Sequence, residues 1–327
     1  MWIFTSVENC VEKRYSGLFL ILIHCNKKGG VFSILKILSN CRRKITIAET
    51  VLKNYFCANY DNSFMQYEII EDGGFKYIET KGGDTTLVLL HGLFGALSNF
   101  SGILNNFGSK YNVVVPILPI YDLPLHKLSV TGLVDNLAKF IDYKGYDNIH
   151  VLGNSLGGHI ALLYSIAYPE KVASITLTGS SGLFESAMGS TFPKRGNYEY
   201  IKKKTEDTFY DPKVATKELV DEVFDIVNDR NKGIRVIVTA KSAVRQNLRD
   251  KLHLIKAPTL LIWGKEDKVT PAFVADEFHK LIENSRLYFV EKCGHAPMME
   301  HPDQFNQILE SFLKEVSATS ENKQVST

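Results

Sequence analysis

The chain has 327 residues and a formal net charge of +2, and 45% of its residues are hydrophobic while 23% are charged. This composition is typical of a globular protein with a sizeable core, and it excludes a fibrous or wholly disordered chain. The length allows one large domain or two ordinary ones.

The first 64 residues differ from the rest in charge and in cysteine content. They contain 9 Lys and Arg against 4 Asp and Glu, whereas residues 65–327 contain 29 against 32. They also hold four of the five cysteines, which lack the C-x-x-C spacing of a zinc site. We therefore expect residues 1–64 to be an N-terminal extension that is not part of the working protein, which would begin at Met65.

Neither part of the chain carries a strong signal for a membrane, a nucleic acid or a metal. The apolar run over residues 18–23 is far shorter than the roughly 20 residues of a membrane span, and no signal-peptide cleavage site follows it. Residues 65–327 contain one cysteine, Cys293, as is usual in a reducing compartment. They contain no basic patch and no phosphate-binding loop. We expect a cytoplasmic protein that binds a small-molecule substrate without metal or cofactor.

From Met65 onwards the pattern predicts regular strands and helices. Residues 67–71 and 75–79 alternate in polarity around Asp72-Gly73-Gly74, which predicts a β-hairpin. The almost wholly apolar run over residues 85–90 predicts a strand buried on both faces. A helix over residues 98–107 and a strand over residues 112–116 follow.

The alternation of strands and helices then continues to residue 182. Helical spacing occurs over residues 128–143 and 156–168, and strand patterns occur over residues 148–152 and 172–178. Such alternation predicts an α/β fold with a mostly parallel, doubly wound sheet and right-handed crossovers. The pattern resumes after the next segment, so we assign residues 65–182 and 255–316 to this core.

Residues 183–254 contain only loop and helix patterns, with helices expected over 197–204, 212–227 and 232–252. A helical insertion of this kind is most simply a cap over the carboxyl ends of the strands, where ligands bind. Its aromatic residues predict an apolar pocket, and they are Phe184, Phe192, Tyr198, Tyr200, Phe209 and Tyr210.

After the cap we expect strands over 259–263 and 285–290 and helices over 271–282 and 303–316. The polar residues 317–327 are expected to form a frayed tail.

Ser155 is the candidate nucleophile. It lies in Gly153-Asn154-Ser155-Leu156-Gly157, between a predicted strand and a predicted helix. Glycines two residues to either side let the strand and the helix approach closely, so that the serine is held on a strained turn. The helix N-terminus leaves the Leu156 N–H free to receive negative charge. The pattern predicts a reactive serine with half of an oxyanion hole.

A serine nucleophile needs a base and a group that orients the base. His295, in the loop after a predicted strand, is the candidate base. Asp267, in the turn after the strand over residues 259–263, is the candidate acid, and we prefer it to Glu266 because its shorter side chain lies later in the turn. The second oxyanion donor is expected to be the N–H of Leu93, with His91 holding that loop in shape.

These motifs resemble the α/β-hydrolase superfamily over residues 67–316. The resemblance rests on His91-Gly92, the serine turn, Trp263-Gly264-x-x-Asp267 and Gly294-His295. Within this superfamily the chain is most similar to the capped branch, which contains small esterases and meta-cleavage-product C–C hydrolases. The resemblance implies that the substrate contacts Phe94, Asn99, Asn154, Phe209 and Ala296.

The sequence favours hydrolysis of a small carboxylic ester over the alternative, C–C cleavage of a 2-hydroxy-6-oxo-dienoate. The C–C enzymes hold the substrate carboxylate with a cap arginine and place a tryptophan after the catalytic histidine, and here those positions are Val223 and Ala296. Another cation, Arg235 or Arg245, would then have to replace the arginine. A third hypothesis is a binding protein on a hydrolase scaffold.

Overall fold

The computed structural model describes residues 24–25, 31–32, 67–95, 100–184 and 195–325. The chain divides into two units, Met1–Ser63 and Phe64–Thr327. In the first unit, strands β1 (His24–Cys25) and β2 (Val31–Phe32) form an antiparallel pair. Most of the predicted N-terminal extension lies outside the described residues, and its dispensability stays a prediction.

The second unit is built on an eight-stranded sheet with the order β10-β9-β8-β7-β5-β6-β4-β3. Only the pairs β3–β4 and β4–β6 are antiparallel, so the predicted mostly parallel α/β sheet is confirmed. The strands are β3 (Ile70–Asp72), β4 (Phe75–Glu79), β5 (Thr86–Leu90), β6 (Asn112–Pro116), β7 (Ile149–Asn154), β8 (Val172–Thr178), β9 (Thr259–Gly264) and β10 (Ser285–Val290).

Central strand β5 shows why the sheet needs helices on both faces. All five of its residues are buried. Val88 and Leu90 pack into one apolar cluster, and Leu87 and Leu89 pack into the other. Because neighbouring side chains on a strand point to opposite faces, a continuous apolar run is stable only when both faces are covered.

Helices cover the sheet on both sides. Leu133, Ile160 and Phe278 bring three helices onto one face, and Ile103 and Phe305 bring two helices onto the other. The helices of the core are α1 (Ser101–Phe107), α2 (Val130–Lys144), α3 (Leu156–Ala167), α7 (Ala272–Leu281), α8 (Pro297–Glu300) and α9 (Pro302–Val325), and those of the cap are α4 (Tyr198–Glu206), α5 (Lys217–Asn228) and α6 (Arg230–Arg245).

The first hairpin has the predicted turn, but its first strand is shorter than predicted. Ile70 pairs with Tyr77 and Asp72 pairs with Phe75, so Gly73 and Gly74, both with positive φ, make a two-residue turn. In this register, extending β3 back to residue 67 would set Glu68 opposite Glu79. Like charges at directly opposed positions are destabilising, which accounts for a strand that begins at Ile70.

The described part of the segment assigned to the cap, residues 183–184 and 195–254, contains helices and loops but no strand. The prediction of one helix over residues 232–252 is wrong, because α6 ends at Arg245 and a separate 3-10 helix spans Arg249–Leu254. Between them the chain turns back to the core, where Leu248 N–H donates to the Gly182 carbonyl at 2.8 Å. A tertiary hydrogen bond of this kind leaves no periodic signal in the sequence.

The last helix is longer than predicted. It continues to Val325, where a frayed tail was expected from residue 317. The segment is polar but contains neither glycine nor proline to end a helix. No helix in the described part of the chain is long and apolar enough to cross a membrane.

Candidate active site

Ser155 lies on the turn between β7 and α3, at the carboxyl edge of the sheet. Its φ of 55° and ψ of −119° are in a region that non-glycine residues rarely adopt. A Cβ at position 157 would lie 1.9 Å from the Leu90 carbonyl oxygen, and one at position 153 would lie 2.4 Å from the Gly157 carbonyl oxygen. Only glycine fits at these two positions, so the close turn that exposes Ser155 depends on both.

Asp267 and His295 form a buried hydrogen-bonded pair. Asp267 lies in the turn after β9 and His295 in the loop after β10, and their side-chain atoms Oδ2 and Nδ1 are 2.9 Å apart. The two residues are 4% and 6% exposed, respectively. With the Nδ1–H donated to the carboxylate, Nε2 of His295 is the imidazole atom left to accept a proton.

The carboxylate of Asp267 is held in its charged form. Burial raises the pKa of Asp267, but the charge and hydrogen bond of His295 and the hydrogen bonds from Thr270 together hold it below its usual value. Val269 and Thr270 donate their N–H groups to Oδ1 at 2.7 and 2.9 Å, and the Thr270 hydroxyl donates to Oδ2 at 2.8 Å.

Glu266 has another role. Its Oε2 accepts the Cys293 N–H at 3.0 Å and so fastens the loop that precedes His295. The choice of Asp267 over Glu266 as the partner of His295 is therefore supported by geometry.

Ser155 and His295 face the same cavity but are not hydrogen-bonded to each other within the described residues. The His295 loop is fixed next to the serine turn by Asn154, whose amide donates to the His295 carbonyl at 3.2 Å and to the Thr178 carbonyl at 3.1 Å. In unliganded enzymes a catalytic hydrogen bond is often long and shortens when substrate binds. The arrangement is consistent with a serine and a base that meet over bound substrate.

The loop after β5 lies against the serine turn. A Cβ at Gly92 would come within 3.2 Å of the Ser155 Cβ. His91 shapes the loop as expected, since its Nδ1–H donates to the Gly92 carbonyl at 2.8 Å and its Nε2 accepts the Leu118 N–H at 3.1 Å. Burial, opposed by the Gly92 hydrogen bond, lowers the pKa of His91 and keeps it neutral.

Leu93 and Leu156, the two expected oxyanion donors, both line the cavity beside Ser155. In the described residues neither backbone N–H has a hydrogen-bond acceptor among the loop and turn contacts. Two such free N–H groups next to a serine could bind developing negative charge.

The cavity has a volume of about 1260 Å³ and lies between the sheet edge and the cap. Four of the expected substrate contacts line it, namely Phe94, Asn154, Phe209 and Ala296. The fifth, Asn99, lies outside the described residues. Because both N–H groups of the Asn154 amide are engaged by carbonyls, that side chain holds the His295 loop more than it offers a donor to a ligand.

The cap aromatics contribute unequally. Phe184, Tyr200 and Phe209 line the cavity, whereas Tyr198 and Tyr210 do not, and Phe192 lies outside the described residues. Tyr198 instead packs edge-on against Phe224 within the cap.

Three positions bear on the binding of a substrate carboxylate. Val223 lines the cavity, while Arg235 does not, because its guanidinium donates to the Leu123 carbonyl. Arg245 lines the cavity. Of the two cations that could replace the missing arginine, only Arg245 is therefore in position.

Three residues at the site were not found from the sequence. Thr270 donates its hydroxyl hydrogen bond to Asp267. Gly179, with φ of +52°, packs against His295, and a Cβ at position 179 would lie 2.7 Å from the His295 Nδ1. Glu300 joins the His295 loop to the cap. Hydroxyl and glycine residues are common in loops, so the only signal for Gly179 is its position directly after β8, and Thr270, in the turn between β9 and α7, has no comparable signal.

Glu300 connects the cap to the base through its two carboxylate oxygens. Oε1 accepts the Gly294 N–H at 2.6 Å, and Oε2 accepts the N–H groups of Tyr210 and Asp211 at 2.7 and 3.2 Å. His295 N–H donates in turn to the Thr208 carbonyl at 2.9 Å. Residues 208–211 of the cap and the His295 loop are therefore held together by hydrogen bonds.

We expect Glu300→Gln to lower the free energy of unfolding by about 1–3 kcal/mol. The amide NH₂ would replace one of the two carboxylate oxygens, and the backbone N–H that this oxygen accepts would lose its acceptor. Urea unfolding measures this change. The matched control is Glu310→Gln on α9, which removes only exposed ion pairs with Lys110 and Lys314. Equal losses in the two variants would contradict the structural role of Glu300.

No group of three or more His, Cys, Asp or Glu side chains in the described residues is arranged to hold a metal ion. Cys293 is a free, buried thiol, and burial together with the nearby Glu300 raises its pKa. That thiol is therefore a packing group.

Residues 85–302 match the sequence model of a family described as the alpha/beta hydrolase fold. The chain is 28% identical over 275 residues to a 2-hydroxy-6-oxononadienedioate/2-hydroxy-6-oxononatrienedioate hydrolase of Paraburkholderia phymatum, a match that covers 76% of this chain and 95% of that protein. It is 27% identical to the monoacylglycerol lipase ABHD6 of Bos taurus, covering 75% of this chain and 80% of that protein.

A solved structure is also similar. It is an alpha/beta hydrolase enzyme from the metagenome of lagoon sediments at Mar Chica, Morocco, with 44% identity, a TM-score of 0.63, and coverage of 76% of this chain and 98% of that chain.

Proposed function

The chain is an enzyme that belongs to the alpha/beta-hydrolase fold family, and from this premise we propose that it is a serine hydrolase with Ser155 as nucleophile, His295 as base and Asp267 as the group that orients the base. The observation that carries the proposal is the 2.9 Å Asp267–His295 pair, which opens on the same cavity as the strained Ser155. A scaffold that only bound ligands would have no need of this pair.

The mechanism follows from the hydrogen-bond directions. Nε2 of His295 takes the proton of the Ser155 hydroxyl as Oγ forms a bond to the substrate carbonyl carbon. The oxyanion that results is stabilised by the N–H groups of Leu93 and Leu156. His295 then returns the proton to the leaving group as the old bond breaks, and water hydrolyses the acyl-enzyme by the same steps.

For the reaction itself we favour cleavage of a C–C bond in a 2-hydroxy-6-oxo-dienoate. The relative from Paraburkholderia phymatum is named for such a substrate, which carries two carboxylates. The charge on the described cavity wall fits an acid, since six basic side chains and two acidic ones line it. The sequence alone favoured ester hydrolysis over C–C cleavage, and we reverse that preference here because the sequence does not show which charged side chains line the cavity.

Ester hydrolysis is the second candidate, and a specific observation favours it. Val223 and Ala296 both line the cavity, so the wall is apolar where the C–C enzymes place an arginine and a tryptophan. A carboxylate placed against these side chains would be left without a partner, which is costly. The similarity to a monoacylglycerol lipase points in the same direction.

The deciding experiment offers the purified protein a 2-hydroxy-6-oxo-dienoate and p-nitrophenyl butyrate side by side. We expect kcat/KM for the dienoate to be at least about tenfold higher, a difference of about 1.4 kcal/mol in transition-state stabilisation. A higher value for the ester would assign the protein to the esterases. As a control, both activities should be lost in Ser155→Ala, which would show that both reactions take place in the cavity that contains Ser155.

A further inference from the structure

Cap helix α6 has an unusual charge distribution. It contains five Lys and Arg residues and no Asp or Glu. Two of them, Lys241 and Arg245, are four residues apart and therefore lie on one face, about 6 Å apart along the helix axis. Both line the cavity that contains Ser155. As Arg230 does at the start of the same helix, Lys241 and Arg245 thus border the space in which the substrate must bind.

These two cations have no acidic partner. In the described part of the chain no carboxylate oxygen lies within 4.0 Å of either, although exposed lysines elsewhere in the cap are paired in this way, such as Lys203 with Asp207. Like charges four residues apart on a helix repel each other. The last turn of a helix favours a cation, which applies to Arg245, and Lys241 is an exposed side chain at the border of the cavity.

The acidic residues of the cavity are already engaged. Asp207 is paired with Lys203, and Asp229 accepts the N–H groups of Asn231 and Lys232 as the N-cap of α6. The wall next to the pair is apolar, with Ile237, Ala240 and Val244 contributed by the same helix. The cavity therefore offers an apolar surface that ends in uncompensated positive charge.

We infer that Lys241 and Arg245 form a carboxylate-binding subsite on the cap wall of the cavity, which selects acyl substrates that carry an anionic group remote from the bond that is cleaved. The inference deepens the proposed function and rests on it. A guanidinium can bind a carboxylate through two parallel hydrogen bonds, and the neighbouring ammonium supplies a second charge.

The test compares two esters that differ only at the far end of the acyl chain. One is p-nitrophenyl hexanoate, and the other is the mono-p-nitrophenyl ester of adipic acid, in which a carboxylate replaces the terminal methyl group. We expect the wild-type protein to have a higher kcat/KM for the acidic ester. In the double variant Lys241→Gln, Arg245→Gln the ratio of the two values should fall about tenfold or more, as expected when charge-assisted hydrogen bonds are lost.

The matched control is Lys232→Gln on the same helix. Lys232 does not line the cavity, and its ammonium lies 5.8 Å from the centre of the Tyr121 ring. The control removes a positive charge from α6 without touching the pair, so the ratio should stay at the wild-type value. A wild-type ratio below one, or a ratio that the double variant leaves unchanged, would overturn the subsite.

A binding measurement separates this inference from the proposed function. Calorimetric titration of adipate into the Ser155→Ala protein needs no turnover, so it reports on the subsite even if the protein hydrolyses neither ester. We expect binding that is lost when Lys241→Gln and Arg245→Gln are added and that weakens with salt. The absence of adipate binding would refute the subsite, whereas binding without turnover in the wild type would refute the hydrolase.

Discussion

The Ser155→Ala variant is expected to lose about 10⁶-fold in kcat, because nucleophile, base and orienting acid act as one unit and the loss of the nucleophile removes the whole. Measurement of kcat with the better of the two substrates gives the size of the loss. A fluorophosphonate probe should label the wild type and leave the variant unlabelled. The substitution removes one exposed oxygen on a turn whose geometry depends on Gly153 and Gly157, so the fold should persist.

Ser317→Ala is a matched control for this experiment. The Ser317 hydroxyl donates to the Leu313 carbonyl on α9, so its loss removes one hydrogen bond of a helix in another part of the fold. Turnover in that variant should equal that of the wild type. Hydrolysis by Ser155→Ala at the wild-type rate would exclude Ser155 as the nucleophile.

The Asp267→Asn variant is expected to lose about 10⁴-fold in kcat, the order of effect that follows from a wrong histidine tautomer. The N–H groups of Val269 and Thr270 point at Oδ1, so that position must remain an acceptor and the amide oxygen will occupy it. The amide nitrogen then faces Nδ1 of His295. An N–H donor at this place forces the imidazole proton onto Nε2, which can no longer accept the Ser155 proton.

The neighbouring Glu266→Gln variant controls for damage to the turn. Glu266 uses one oxygen to accept the Cys293 N–H, and a glutamine oxygen can do the same. Its kcat should remain within about threefold of the wild type, a difference of less than about 1 kcal/mol in transition-state stabilisation. Equal losses in the two variants would mean that the shape of the turn matters and the carboxylate of Asp267 does not.

The structural features that could be predicted are mostly those that depend on residues close together in the sequence. The strands over residues 112–116, 172–178 and 285–290 have the predicted bounds, because an apolar run between turn residues is a local signal. The turn around Ser155 could also be predicted from its G-x-S-x-G pattern. Gly153 is required by a contact inside the turn, with the Gly157 carbonyl, whereas Gly157 is required by the Leu90 carbonyl of the neighbouring strand.

What could not be predicted depends on contacts between distant segments. Glu300 is recognisable only when the cap and the His295 loop are side by side, and the end of α6 is set by the bond from Leu248 to Gly182. The identity of the cations that reach the cavity is of the same kind. Nothing in the sequence distinguishes Arg235 from Arg245 as a candidate. In the structure the Arg235 guanidinium donates a hydrogen bond to the Leu123 carbonyl, whereas Arg245 borders the cavity.

The hydrogen bond between Asn154 and His295 joins residues 141 positions apart, and this separation has a consequence for synthesis. At a translation rate of about 5–20 residues per second, the ribosome needs roughly 7–28 seconds to progress from Ser155 to His295. During that interval the growing polypeptide carries Ser155 without the residue that we propose as its proton acceptor. With Ser155 and His295 in their proposed roles, hydrolytic activity therefore requires a polypeptide that has been synthesised as far as His295.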